Sequence, residues 1–136
     1  MGISKRVLAV LVAALAFLTL SLPVAGSEDP FNGSWEAVDE RDDGLIQLRI
    51  GGGKHHVVGS DQDGGLCRPS VARFSGFGEI ADGNLVVDLA VYCFDVGRGG
   101  AGRFFAGVVP NATFIDNGDG TLTWQFTNLV LHKTGK

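Results

Sequence analysis

The chain has 136 residues, with 11 basic and 15 acidic side chains and a formal net charge of −4 at pH 7. This length is sufficient for one domain with one core once a leader is removed, and too short for two. The acidic balance and the scattered basic residues argue against a nucleic-acid partner, because such a surface repels a phosphate backbone.

The first residues have the pattern of a secretory signal peptide. Lys5 and Arg6 precede an apolar run from Val7 to Leu20, and small residues Val24 and Gly26 suit the positions read by a signal peptidase. We therefore expect a signal peptide over residues 1–26 and one domain over 27–136. An uncleaved anchor is the alternative, since the run is near the lower limit of about 17 residues for a spanning helix. Cleavage is favoured, which predicts a secreted or periplasmic protein without stable membrane insertion.

The mature domain is acidic and contains two cysteines. Removing Lys5 and Arg6 leaves nine basic against 15 acidic side chains, a formal charge of 9 − 15 = −6. Export to an oxidising compartment predicts a disulfide between Cys67 and Cys93. Metal or thiol chemistry would need a Cys-x-x-Cys or a nearby base, and the sequence has neither.

Alternating apolar residues predict strands throughout the mature chain. The pattern is strongest from Asn84 to Phe94, where every second residue is apolar. Gly76 and Gly78 dilute the preceding strand and predict a bulge or a sharp bend there. Gly97 to Gly102 is expected to be a loop. In chain order, the predicted strands are Glu36–Asp39 with Trp35 and Ala37 inward, Leu45–Ile50, Lys54–Ser60, Val71–Ile80, Asn84–Phe94, Arg103–Val109 interrupted by Pro110, Thr113–Ile115, Thr121–Thr127 and Leu129–Lys133.

No helical period with caps follows the signal peptide, so the predicted fold is all-β. With about seven to eight strands, it is a small antiparallel up-and-down barrel or a sandwich. The Asp82-Gly83 turn predicts a hairpin that pairs Ala81 with Asn84 and places Cys93 opposite Ala72. That ladder does not bring Cys67 to Cys93. Either the glycine-rich strand has a bulge, or the segment around Pro69 folds back over the hairpin, which we favour.

Gly33-Ser34-Trp35 resembles the Gly-x-Trp motif of the calycin barrels, the lipocalins and avidins, in which the tryptophan plugs the closed end. The resemblance covers three residues. It implies a barrel whose other mouth binds a small ligand. Trp35 is expected to be a core plug under any interpretation, and the chain lacks the ring of binding tryptophans found in avidins.

Candidate ligand or core aromatics are the rings expected to point inward. They are Trp35, Phe74, Phe77, Phe104, Phe105, Trp124 and Phe126. Adjacent residues of a strand point to opposite faces, so His55 and His56 are poor partners in one metal site. A three-histidine site would need His132 on a strand next to the third one. No metal or other cofactor is predicted.

The remaining motifs have simple structural interpretations. The acidic run Asp39–Asp43 is expected to be a solvated turn, and Asp61–Gly64 and Asp116–Gly120 are expected to be tight turns rather than calcium loops. Asn111-Ala112-Thr113 is a glycosylation sequon. Gly51-Gly52-Gly53-Lys54 lacks the spacing of a phosphate-binding loop. No serine lies in a Gly-x-Ser-x-Gly elbow, which favours a non-catalytic role.

Two functional hypotheses follow. The first is a secreted barrel that binds a small ligand inside. The second is an extracellular module whose outer surface recognises a protein, a glycan or a cell-wall component, and an exposed cluster of aromatic side chains would favour it.

Overall fold

A computed structural model describes residues 29–62, 67–68, 70–95 and 102–136. The predicted signal peptide, most of the predicted loop at 97–102 and the end of the Asp61–Gly64 turn lie outside these residues. Within the described ranges, no helix has the length and apolarity needed to cross a membrane.

The described chain forms eight β-strands. They are β1 (Gly33–Asp39), β2 (Gly44–Gly51), β3 (His56–Gln62), β4 (Val71–Ala81), β5 (Asn84–Asp95), β6 (Gly102–Asp116), β7 (Thr121–Trp124) and β8 (Leu129–Gly135). Each strand pairs antiparallel with the next, and β8 pairs with β1, so the sheet closes into an up-and-down barrel. The all-β prediction is confirmed, and the architecture is the barrel rather than the sandwich.

Alternation places one face of each strand inside the barrel. Ile46, Leu48 and Ile50 of β2 are buried, as are the apolar residues from Leu85 to Cys93 that recur at every second position of β5. Trp35 is buried on β1, and its indole Nε1 donates a hydrogen bond of 2.9 Å to the carbonyl of Phe31. The predicted inward faces of the first, second and fifth strands are therefore confirmed.

The β4–β5 hairpin has the predicted register. Asp82 and Gly83 both have positive φ, 52° and 79°, as a two-residue hairpin turn requires. Ala81 pairs with Asn84, and Cys93 lies opposite Ala72. The register is the same on both sides of Gly76 and Phe77, so the hairpin has no bulge at the glycines.

The disulfide joins Cys67 and Cys93, whose Cα atoms are 5.3 Å apart. The amide of Ser70 donates a hydrogen bond to the carbonyl of Cys67, which turns the chain back over the hairpin. Of the two routes weighed from the sequence, the fold-back is the one that the structure uses.

The predicted interruption at Pro110 is wrong, because β6 continues through it. Register shifts along β5 fall between Val87 and Leu89 and between Val91 and Tyr92, which places extra residues on β6. At the first of these bulges Asn111 has a φ of 51°, and its amide donates a 2.8 Å hydrogen bond to Asp88 Oδ1. A bulge accommodates the proline because its missing N–H removes no ladder hydrogen bond there.

Four rings predicted to point inward are exposed instead. Phe77, Phe104, Phe105 and Phe126 are 65%, 57%, 58% and 72% exposed. Strand β7 ends at Trp124, so Phe126 lies in the following turn, where alternation no longer applies. Phe105 pairs with Tyr92 of the outer face, so its ring points outward. Phe104 lies in the half of β6 that β7 does not reach, because β7 pairs only with Phe114–Asp116. Phe74 and Trp124 are buried as predicted.

Candidate functional site

A shallow groove of about 600 Å³ crosses the outer face of the barrel. It extends over β1 to β5, with Arg103 of β6 and Thr134 of β8 at its ends. Neighbouring strands are separated by about 4.8 Å, so the distance from β1 to β6 along the sheet is about 24 Å.

The alternation that builds the core also builds this groove. Arg49 lies between buried Leu48 and Ile50, and Arg73 lies between buried Ala72 and Phe74. Successive side chains of a strand point to opposite faces, so both arginines point away from the core.

Short hydroxyl side chains and an amide line the middle of the groove. Ser34 pairs with Arg49, and Gln47 pairs with Ser60, which in turn pairs with Arg73. Ser75 and Thr134 contribute two further hydroxyl groups. These side chains donate and accept hydrogen bonds without carrying charge.

Arginines stack on aromatic rings at the β4–β6 end of the groove. The guanidinium carbon of Arg103 lies 4.1 Å from the centre of the Tyr92 ring, and that of Arg73 lies 4.9 Å from the centre of the Phe94 ring. The Tyr92 and Phe105 rings are in turn 5.5 Å apart. Stacking of this kind attracts the cation to the ring face.

The groove is locally basic in an acidic domain. Three arginines, Arg49, Arg73 and Arg103, face one carboxylate, Glu36. In the part of the chain that the structure describes, none of the three groove arginines forms a salt bridge. From the sequence alone the basic residues are scattered. The sequence nevertheless contains a signal for one common face, because each arginine alternates with the buried residues of its strand.

The residues singled out from the sequence do not form one site. Trp35, Phe74 and Trp124 belong to the core, with the Trp124 ring 5.6 Å from Phe74 and 5.4 Å from Phe114. Phe104 and Phe126 are on the surface. The indole Nε1 of buried Trp124 has no hydrogen-bond partner among the described residues.

The histidines are separated in the fold. His55 lies in the turn before β3 and forms a hydrogen bond with the Asp29 carboxylate, whereas His56 stacks on Phe77 with ring centres 4.4 Å apart. His132 is on β8, which pairs with β7 and β1 rather than with β3. No group of three metal-ligating side chains occurs within the described ranges.

The Asp29 carboxylate tethers the segment before β1. Burial raises its pKa, but hydrogen bonds from the Phe31 amide and from His55 outweigh burial, so the pKa lies below its usual value. Phe31 meets His55 edge-on, with ring centres 6.3 Å apart.

The aspartate-rich turns use their carboxylates internally. Asp116 accepts a hydrogen bond from the amide of Gly118, and Asp119 accepts two from Thr121, which lower the pKa of Asp119. Such contacts are typical of tight turns, as predicted. Of the Asp61–Gly64 turn, only Asp61 and Gln62 lie within the described residues.

Asp39 corrects the prediction of a solvated turn over 39–43. Its side chain is buried, and Arg41 holds it through two side-chain contacts of 2.7 and 2.9 Å. These hydrogen bonds lower the pKa of Asp39. The sequon residue Asn111 is exposed on β6, at the bulge.

Comparison of the chain with protein-family models, with curated proteins and with solved structures found no match.

Proposed function

We propose that the protein is an exported, non-catalytic module that binds an extended glycan along the groove on its outer face. The observation that carries the proposal is the groove itself, which combines hydroxyl and amide side chains with arginines, two of them stacked on aromatic rings, over seven neighbouring strands. The disulfide is consistent with an oxidising, extracellular or periplasmic location.

A glycan suits this surface better than a protein partner does. The centre of a protein–protein interface is depleted of charge and built around apolar anchors. Here the central positions are Gln47, Ser60 and Arg73, and the aromatic rings lie to one side. A hydroxyl-rich chain would satisfy such donors and acceptors along its length.

Blocking the groove tests the proposal. Gln47 is exposed in the middle of the groove, so Gln47→Trp places a bulky ring where the ligand would lie. Glu79→Trp on β4 is the matched control, because Glu79 is exposed outside the groove. Both variants would be titrated with polygalacturonate, methyl-esterified polygalacturonate, hyaluronate and dextran by calorimetry. We expect Gln47→Trp alone to abolish binding, and equal binding by the two variants would contradict the proposal.

A second function, binding of a small ligand inside the barrel, is favoured by one observation. The unpartnered Nε1 of Trp124 is a buried donor, and such a donor costs about 1 to 3 kcal/mol when left unsatisfied. A polar ligand atom inside the barrel would satisfy it, as the calycin resemblance implies. Such a ligand would perturb the fluorescence of wild-type protein but not of Trp124→Phe, and its affinity would be unaffected by Gln47→Trp.

A further inference from the structure

The three groove arginines are evenly spaced on every second strand. Arg49 of β2 aligns through Val58 with Ser75 of β4, which is two residues from Arg73. Arg73 aligns through Tyr92 with Phe105 of β6, which is two residues from Arg103. Both steps run towards the same end of the barrel.

Each step therefore crosses two strands and advances two residues. With strands about 4.8 Å apart and a rise of about 3.4 Å per residue, successive Cα atoms are about 12 Å apart. A row of evenly spaced cations that follows the sheet is complementary to a chain in which anionic groups recur at regular intervals.

Two of the three guanidinium groups lie against the faces of aromatic rings. Arg73 lies over the Phe94 ring and Arg103 over the Tyr92 ring, and a guanidinium held against a ring face keeps N–H donors at its edge for a further partner. Those donors match the two oxygens of a carboxylate in a bidentate pair.

We infer that the glycan is an acidic polysaccharide whose carboxylates pair with Arg49, Arg73 and Arg103, an inference that rests on the proposed function. The serine hydroxyls next to the arginines serve the uncharged sugar hydroxyls. Single-stranded nucleic acid fits less well, because base stacking needs free ring faces, and guanidinium groups cover one face each of Tyr92 and Phe94.

A pair of probes with the same backbone isolates the charge. Polygalacturonate carries a carboxylate on each sugar, and its methyl ester is neutral. We expect the ester to bind at least about tenfold more weakly, the change that follows from losing one charge-assisted hydrogen bond. Each of Arg49→Gln, Arg73→Gln and Arg103→Gln should weaken polygalacturonate binding by a similar factor. The control Lys54→Gln, which removes one positive charge from an exposed site outside the groove, should leave binding unchanged.

Several results would overturn the inference. One is equal affinity for the two galacturonans, and another is an effect of Lys54→Gln as large as that of the arginine variants. The others are tighter binding of oligothymidylate than of polygalacturonate, and no binding of either polygalacturonate or hyaluronate. If the neutral ester binds as tightly as polygalacturonate and Gln47→Trp abolishes the binding of both, the groove function stands and the charge inference fails. If no probe binds in a way that Gln47→Trp blocks, both fail.

Discussion

Reduction of the Cys67–Cys93 disulfide should destabilise the barrel by about 3.5 kcal/mol. The two cysteines are 26 residues apart in the sequence. For a loop of that size, the chain-entropy relation gives a denatured-state entropy loss of about 12 cal/mol/K, or about 3.5 kcal/mol at 25 °C. Domains of this size have unfolding free energies of about 5 to 15 kcal/mol, so the bridge supplies a substantial part of the total.

Urea unfolding followed by tryptophan fluorescence measures this contribution, because Trp35 and Trp124 are both buried. Oxidised protein is compared with protein that has been reduced and alkylated, and with a Cys67→Ala/Cys93→Ala variant that avoids the bulk of the alkyl groups. Both changes should lower the unfolding free energy by about 2 to 4 kcal/mol while the far-ultraviolet spectrum stays that of a β-protein. A loss below about 1 kcal/mol would refute the loop-closure reasoning, and alkylation of both cysteines in unreduced protein would refute the bridge.

Three further predictions concern stability, each measured by urea unfolding. Gly76→Ala would place a Cβ atom 2.2 Å from the backbone oxygen of Asp88 and should cost about 2 kcal/mol. Gly53→Ala, which meets open space, should cost less than about 0.5 kcal/mol, and equal losses would contradict this account. Phe126→Ser should also change stability by less than about 0.5 kcal/mol, whereas truncating fully buried Phe114 to Ala should cost about 3 to 5 kcal/mol. A large loss at Phe126 would place that ring in the core. The hydrogen bonds from Arg41 lower the pKa of Asp39 in the folded state below 3.8. The stability that Asp39 contributes is therefore complete above its unfolded-state pKa. It is lost as the pH falls through its folded-state pKa. Asp39→Asn should therefore lose less stability between about pH 5 and pH 2 than wild type and the control Asp43→Asn do, and identical pH profiles would exclude this role.

Much of the fold could be predicted from the sequence, because the local patterns of the strands and turns also determine how the strands pair. The alternation from Leu85 to Cys93 and the Asp82-Gly83 turn fixed both the register of the hairpin and the position of Cys93 opposite Ala72. A shift of one residue in the pairing register would expose the whole core face of the strand, so few other registers are possible.

The exposed aromatics could not be predicted from alternation. Phe126 continues the pattern of Leu122 and Trp124, but the chain turns after Trp124 and ends the strand. Phe104 pairs with buried Cys93, yet no strand continues past this part of β6 to cover its ring. Burial there depends on where a neighbouring strand ends, which is a tertiary property.

The groove was missed for a related reason. Arg49, Arg73 and Arg103 are distant in sequence, so the sequence shows them only as scattered charges. Each is nevertheless out of phase with the core residues of its strand, so strand register was sufficient to place them on one outer face. The missing knowledge was the pairing register between the other strands, because only that of the β4–β5 hairpin was predicted.

The most direct test of the central claim is an NMR titration of ¹⁵N-labelled protein with the polymer of the calorimetric panel that binds most tightly. The outer-face account predicts the largest shifts at the amides of Gln47, Ser60 and Arg73, with little change at Leu89 and Leu131 inside the barrel. Shifts concentrated at Trp124 and Leu131, with the groove amides unchanged, would contradict it and place the ligand inside.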